Sequence, residues 1–373
     1  MIPLFKVFMA DTAKKAVENV LDSGFIGQGP RVEEFEGELK SLLGSDYVAT
    51  TNAATSAEHL ALHLMKGEVV KDGDEVLASP LTCTATNWPI LANNLKIKWV
   101  DVSEHNLNMD LDDLERKISP TTKVIFLVHW GGYPVDLDRI KKIVDKSEKL
   151  YGFRPMVIED CAHALGSTYK GKPIGSHGNF CTFSFQAIKH ITTGDGGVLV
   201  SPNYEYYTRS KLLRWYGIDR DNNKKDFRCE ADIAEWGFKF HMNDIAAAIG
   251  IENLKHAKEI IDTHRENASY YDQELKGVEG VQLLERRADV ESSFWIYSFL
   301  VDRKDDFMNH MKEREIMVSQ VHERNDIHSC VKEFRTPLPS LDKITPRLIS
   351  IPVGWWVNKE DREYIVSSIK EGW

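Results

Sequence analysis

The sequence predicts an α/β protein: a large domain with a mostly parallel sheet flanked by helices, then a small C-terminal α+β domain. Three observations predict it. Over the first two thirds, short apolar runs alternate with segments of helical spacing. Near residue 240 that alternation gives way to one long helical stretch and a mixed tail. The 373 residues are also too many for one minimal core and suit a large domain with a smaller one.

Taken in order, the strand-like runs are EVLASP (75–80), IKWVDV (97–102), KVIFLVHW (123–130), PMVIED (155–160), CTFSF (181–185) and GVLVS (197–201). Between them, Val32, Phe35, Leu39 and Leu42 share one helix face, and Ile140, Ile143 and Val144 share another. Strands alternating with helices favour a parallel sheet covered on both sides. FHMNDIAAAIGIENL and HAKEIIDTHRENASYYDQEL read as one long helical region, broken or bent near Lys255, and the expected domains are 1–255 and 256–373. Beyond it come strand-like FWIYSFLVD (294–302), a helix around Asp305–Arg314, strand-like IMVSQV and LISIPV, and a terminal helix from Lys359.

Composition narrows the function classes. Hydrophobic residues at 42% and charged residues at 28% are ordinary for a soluble globular chain. A net charge of -10 argues against nucleic acid or an anionic membrane as a main partner, since either needs a basic face. The N-terminus lacks a secretory pattern, and no apolar run reaches membrane-spanning length. Cys83, Cys161, Cys181, Cys229 and Cys330 are odd in number and form no CxxC pair, so they read as reduced thiols of a cytoplasmic protein. No metal site is expected, because His322, His328 and Cys330 have loose spacing.

In such sheets, ligands bind beyond the carboxyl ends of the strands. Asp160 closes one strand run, Lys189 follows another by a short loop, and Thr55 and Ser56 open a helix. Pyridoxal phosphate (PLP) asks for three such groups: an amine to form a Schiff base, a carboxylate for the pyridinium nitrogen, and a helix N-terminus for the phosphate. Lys189, Asp160 and the Thr55–Ser56 turn fit these roles, and Ser184 adds a hydroxyl.

The segment VIEDCAHALGSTYKGKPIGSHGNFCTFSFQAIKHITTGDGGVLVS resembles the core of the DegT/DnrJ/EryC1/StrS family of PLP-dependent sugar aminotransferases. FIGQGPRVEEFE, ATTNAATSAEHLAL, LNMDLDDLERKISPTTKVIFLVHWGGYPVDLDRI and WGFKFHMNDIAAAIGIENL extend the similarity over the chain. The resemblance implies an aspartate-aminotransferase-like fold (PLP fold type I) and a homodimer with active sites at the subunit interface. It implies that Lys189 carries the internal aldimine, Asp160 meets the pyridine nitrogen, and His163 meets the phenolic oxygen. Thr55, Ser56 and Ser184 would hold the phosphate. The implied reaction moves an amino group from an amino acid, typically glutamate, to the keto group of a nucleotide-linked deoxysugar.

The chain departs from the family pattern at four places. Cys83 stands where an aromatic commonly stacks on the ring, leaving Trp88 as the substitute. In RWYGID (214–219), Trp215 stands where asparagine is frequent. In GFKFHMND, Lys239 and His241 replace asparagine and arginine, in a segment that by the resemblance brings Lys239 within reach of the partner subunit's phosphate.

Blander readings compete at each position. Alone, Lys189 would be a solvated lysine, Asp160 a strand-end cap, Thr55 and Ser56 generic N-cap residues, and His163 a packed polar residue. GQGP (27–30) is a tight turn, and GDGG (194–197) lacks the third glycine of a dinucleotide fingerprint. Glu159 should point away from Asp160 along a regular strand. The sequon at Asn267 is read as chance. The rival functions are a sugar dehydratase or aminodehydratase of this fold, and a PLP-binding regulatory protein without turnover. Sugar 3-dehydratases have histidine at the lysine position, and here Lys189 holds it with His190 following.

Overall fold

The computed structural model describes residues 1–67, 70–220 and 232–373, so Cys229 lies outside the described residues. Seven strands form the main sheet: β1 (Val48–Thr51), β2 (Glu75–Ala78), β3 (Lys96–Trp99), β4 (Thr122–Val128), β5 (Met156–Asp160), β6 (Phe180–Ser184) and β7 (Gly197–Val200). Their order is β1-β7-β6-β5-β4-β2-β3. The pairs from β3 across to β6 are parallel, and β7 runs antiparallel to both β6 and β1. The sheet is therefore mostly parallel, as expected.

Its continuous apolar runs follow from burial on both faces. Val124 and Phe126 of β4 pack with the helix Ala54–Met65, whereas Ile125 and Leu127 pack on the opposite face with Ile140, Ile143 and Val144 of the helix Leu137–Tyr151. The helix Pro30–Leu43 buries Val32, Phe35, Leu39 and Leu43 in a third cluster with Phe183, Phe185 and Val198.

The helical region after residue 240 is two helices, Asp244–Leu254 and Ala257–Glu274, with the break at Lys255–His256. The second packs on an antiparallel sheet of β8 (Val281–Gln282), β9 (Tyr297–Val301) and β10 (Leu348–Ile351), together with the helices Lys304–Glu313 and Lys359–Lys370. IMVSQV, expected as a strand, makes only single bridges, Ile316 to Ile2 and Ser319 to Ser350. The N-terminal segment takes one side of it, and positive φ at Glu315 and Val321 ends the extended run at either side. Ile2 is thereby buried with the C-terminal residues.

Two sequence features have structural explanations. Asp244 accepts the N–H groups of Gly29, Arg31 and Val32, so the carboxylate itself fills the anion position at the start of the helix Pro30–Leu43, and GQGP is a turn. Asn267 is buried, and its amide donates to the carbonyls of Val353 and Val357. Among the described residues, no helix is long and apolar enough to cross a membrane.

Candidate active site

Sheet register brings the expected residues to one edge. Thr51, Gly197 and Ser184 lie abreast on β1, β7 and β6, and Asp160 lies abreast of Thr182 on β5 and β6. Lys189 sits on the connection from β6 to β7, which is pinned by Phe185 N–H to Gly196 O and Thr193 N–H to Phe185 O.

The GDGG motif acts through close packing. A Cβ on Gly197 would come within 2.3 Å of the Ala53 carbonyl carbon and 2.4 Å of Ala54 N. Only glycine lets the start of β7 abut the helix Ala54–Met65. That helix has Ala53 as its N-cap and no side-chain cap, so its first N–H groups have no partner within the helix. Thr55 is exposed and Ser56 half-buried at this turn, and Ser184 is half-buried beside it in the sheet register.

Asp160 is buried and furnished as an anion. Thr86 Oγ1 donates to its Oδ2 at 2.6 Å, and Ala162 N–H donates to Oδ1 at 2.9 Å. Thr82 Oγ1 stands 2.8 Å from Thr86 Oγ1 and extends the chain of hydroxyls. Glu159 points the other way, as alternation requires. It pairs with His129 Nε2 at 2.8 Å and accepts from Asn179, so that buried His129, Glu159 and Cys161 group is already internally bonded.

Lys189 Nζ lies 3.6 Å from the centroid of the buried Trp295 ring. The residue as a whole is part-exposed, but burial of the amine draws its pKa down to about 8, against the opposing pull of Asp160. Histidines nearby are likewise held neutral. Burial and the Lys189 charge keep His163 well below the usual imidazole range and His322 down to about 4. His163 stacks on Trp295 at 3.9 Å and accepts the Gly131 N–H at Nδ1, which leaves its ring hydrogen on Nε2.

Trp88 lies on the face of its helix away from Thr86. It meets His328 edge-on at 5.7 Å, two residues along the helix Thr84–Ala92 from Thr86 and therefore about 200° around it. The aromatic touching Lys189 and His163 is Trp295, which the sequence offered only as part of a strand-like run. Glu58 and Thr86 also escaped the sequence reading, and His322 entered it only as a rejected metal ligand. Each is far along the chain from Asp160 and Lys189, and none carries a motif of its own.

The backbone of Lys239 bridges Trp215, and its carbonyl accepts from Asn52 Nδ2 at 3.4 Å, beside the turn that opens the helix Ala54–Met65. Its side chain is exposed. Trp215 packs on His241 at 3.6 Å, under the Arg220 guanidinium at 4.3 Å. Buried Arg214 anchors this segment, donating to Glu36 Oε1 at 2.5 Å and Thr50 O at 2.7 Å. A separate cleft of about 740 Å³, lined by His105, Arg139 and Arg287, includes none of the residues around Lys189.

The residues around Lys189 fit PLP on three observations: a glycine-only close approach beside uncapped helix N–H groups, a donor-furnished buried carboxylate, and a neutralisable buried amine. Comparison with known proteins agrees. Residues 8–370 match the model of the DegT/DnrJ/EryC1/StrS aminotransferase family. The structure of AtS13 from Actinomadura melliaura is 52% identical with a TM-score of 0.97, covering 100% of this chain and 99% of that one. The sugar aminotransferase CalS13 from Micromonospora echinospora is 47% identical with a TM-score of 0.96, covering 100% of both chains. The UDP-4-amino-4-deoxy-L-arabinose–oxoglutarate aminotransferase of Shewanella sediminis is 30% identical over 99% of this chain and 97% of its own. The chain belongs to the DegT/DnrJ/EryC1/StrS aminotransferase family and is an aminotransferase that uses pyridoxal phosphate.

Proposed function

We propose that this chain moves the amino group of glutamate to the keto carbon of a nucleotide-linked deoxysugar, with Lys189 as the cofactor-bearing residue. The observation that carries this reading is the meeting of a buried amine of pKa about 8 with a buried, donor-furnished carboxylate at the mouth of an uncapped helix. PLP bound here supplies an electron sink, so that the carbon bearing the substrate nitrogen can lose a proton. Lys189 Nζ, once free, accepts that proton, and as ammonium it returns it on the far side of the transfer. An amine titrating near the working pH suits both tasks. Asp160 would set a negative charge against the ring nitrogen, and His163 Nε2–H would donate to the phenolic oxygen. Thr55, Ser56, Ser184 and the first-turn N–H groups would hold the phosphate. Trp295 walls the site beside the lysine and keeps water from the amine.

The relative named for a UDP-linked sugar and oxoglutarate supports a nucleotide-sugar acceptor and a glutamate donor. Exposed Lys239, beside the phosphate turn, suits a homodimer in which it reaches the partner subunit's site. Buried Cys161 and Cys181 are free thiols in contact, which suits a reducing, cytoplasmic setting. Keto-deoxysugar nucleotides offered with glutamate, and products read by mass spectrometry, test the assignment. Release of oxoglutarate with an aminated sugar nucleotide is expected. Loss of water from the sugar without nitrogen gain would turn the reading to a dehydratase, and an unchanged cofactor spectrum with every amino donor would turn it to a regulatory protein.

A further inference from the structure

Glu58 lies one turn into the helix Ala54–Met65, below Thr55, and is 1% exposed. That helix packs on β5, the strand that ends in Asp160, and the Glu58 and Asp160 carboxyls interact. Among the described residues, nothing donates to Glu58 Oε2. Asp160 has the opposite surroundings, with Thr86 and Ala162 donating to its two oxygens. Two carboxylates side by side away from water cannot both ionise, and they share a proton. The proton goes to Glu58, whose Oε2 has no donor, because both oxygens of Asp160 already accept hydrogen bonds.

We propose that Glu58 is the neutral member of this pair and donates its proton to Asp160, so that one negative charge, fixed on Asp160, faces the ring nitrogen of PLP. This rests on the reading of Asp160 as the partner of that nitrogen. The hydrogen bond satisfies the orphaned oxygen of Glu58 and gives Asp160 a third donor. It also links the two ends of the cofactor site, since the helix whose first turn holds the phosphate carries the group that orients the ring partner. The charged and titratable groups facing Glu58 are Asp160 from β5, Cys83 from the turn before the helix Thr84–Ala92, and Lys189 from the β6–β7 connection. Burial, then the Asp160 charge and Cys83, hold Glu58 well above the usual carboxylate range, and Lys189 opposes them.

The test uses the full chain with and without PLP, as wild type, Glu58→Gln and Glu58→Leu. Infrared spectra near neutral pH should show the carbonyl stretch of a buried carboxylic acid in wild type, absent from Glu58→Gln. A merely structural glutamate would not give that band. Glu58→Gln keeps a neutral donor and should hold PLP with a Kd within about twofold of wild type. Glu58→Leu loses the donor, and its Kd should rise about tenfold, the size of one hydrogen bond to a charged group. No Glu58-dependent acid band, or wild-type PLP affinity in Glu58→Leu, would overturn the proposal. Wild-type protein that shows the band yet does not bind PLP would overturn the reading of Asp160 instead.

Discussion

Gly197→Ala isolates the close approach on which the phosphate turn depends. The new Cβ would lie 2.3 Å from the Ala53 carbonyl carbon and 2.4 Å from both the Ala53 oxygen and Ala54 N. Comfortable carbon contacts begin at about 3.5 Å, so β7 and the helix start must part by about 1 Å. The atoms struck are backbone, with no side-chain rotamer to yield, which puts the cost at the upper end of overpacking, about 3 kcal/mol. For 373 residues the unfolding entropy is about 0.8 kcal/mol/K, so Tm should fall by about 4 °C. The same displacement takes hydrogen bonds of about 2.9 Å past their useful range, and PLP affinity should drop by about tenfold or more. Thermal unfolding of the apoprotein and fluorescence titration with PLP measure the two effects. Gly37→Ala is the control: it lies inside the helix Pro30–Leu43 with open space at its Cβ, and should stabilise by about 0.5–1 kcal/mol. Gly197→Ala with wild-type Tm and wild-type PLP affinity would refute the packing argument.

Three further outcomes follow from the same geometry. Asp160→Asn removes the charge opposite the ring nitrogen and should slow turnover by about 100-fold, or about 3 kcal/mol of barrier, in a steady-state assay; near-normal kcat would show that the ring partner is another residue. The rate at which apoprotein captures PLP should rise with pH and level off near pH 8, because the neutral amine of Lys189 is the nucleophile and its folded pKa is about 8 instead of 10.5; a rise continuing toward pH 10 would contradict the buried amine. Arg214→Met strands Glu36 without its buried partner and should cost about 3–5 kcal/mol in urea denaturation, with Glu36→Gln on top restoring part of it.

The strands of the main sheet were legible because both faces are buried, which leaves unbroken apolar runs such as Val124–Val128. The edge strand β1 was less so, being four residues ending in threonines that pair antiparallel to β7. IMVSQV misled because its apolar spacing reflects packing between the N-terminus and β10, while its ladder is only two bridges long. The placement of Lys189, Asp160, Thr55 and Ser184 at or just beyond strand and helix ends was legible through local motifs. Glu58, Thr86 and Trp295 were not, since each owes its importance to a contact made across the fold. Glu58 in particular sits among apolar helix residues, where sequence alone offers no reason to look for a neighbouring carboxylate. On the helix Thr84–Ala92, Trp88 meets His328 while Thr86 faces Asp160.

The most direct test of the central claim is borohydride reduction of the purified, PLP-loaded protein followed by proteolysis and mass spectrometry. The account predicts one reduced pyridoxyl group, on the peptide bearing Lys189, and none in Lys189→Ala. A pyridoxyl group on any other lysine, or its persistence in Lys189→Ala, would contradict it.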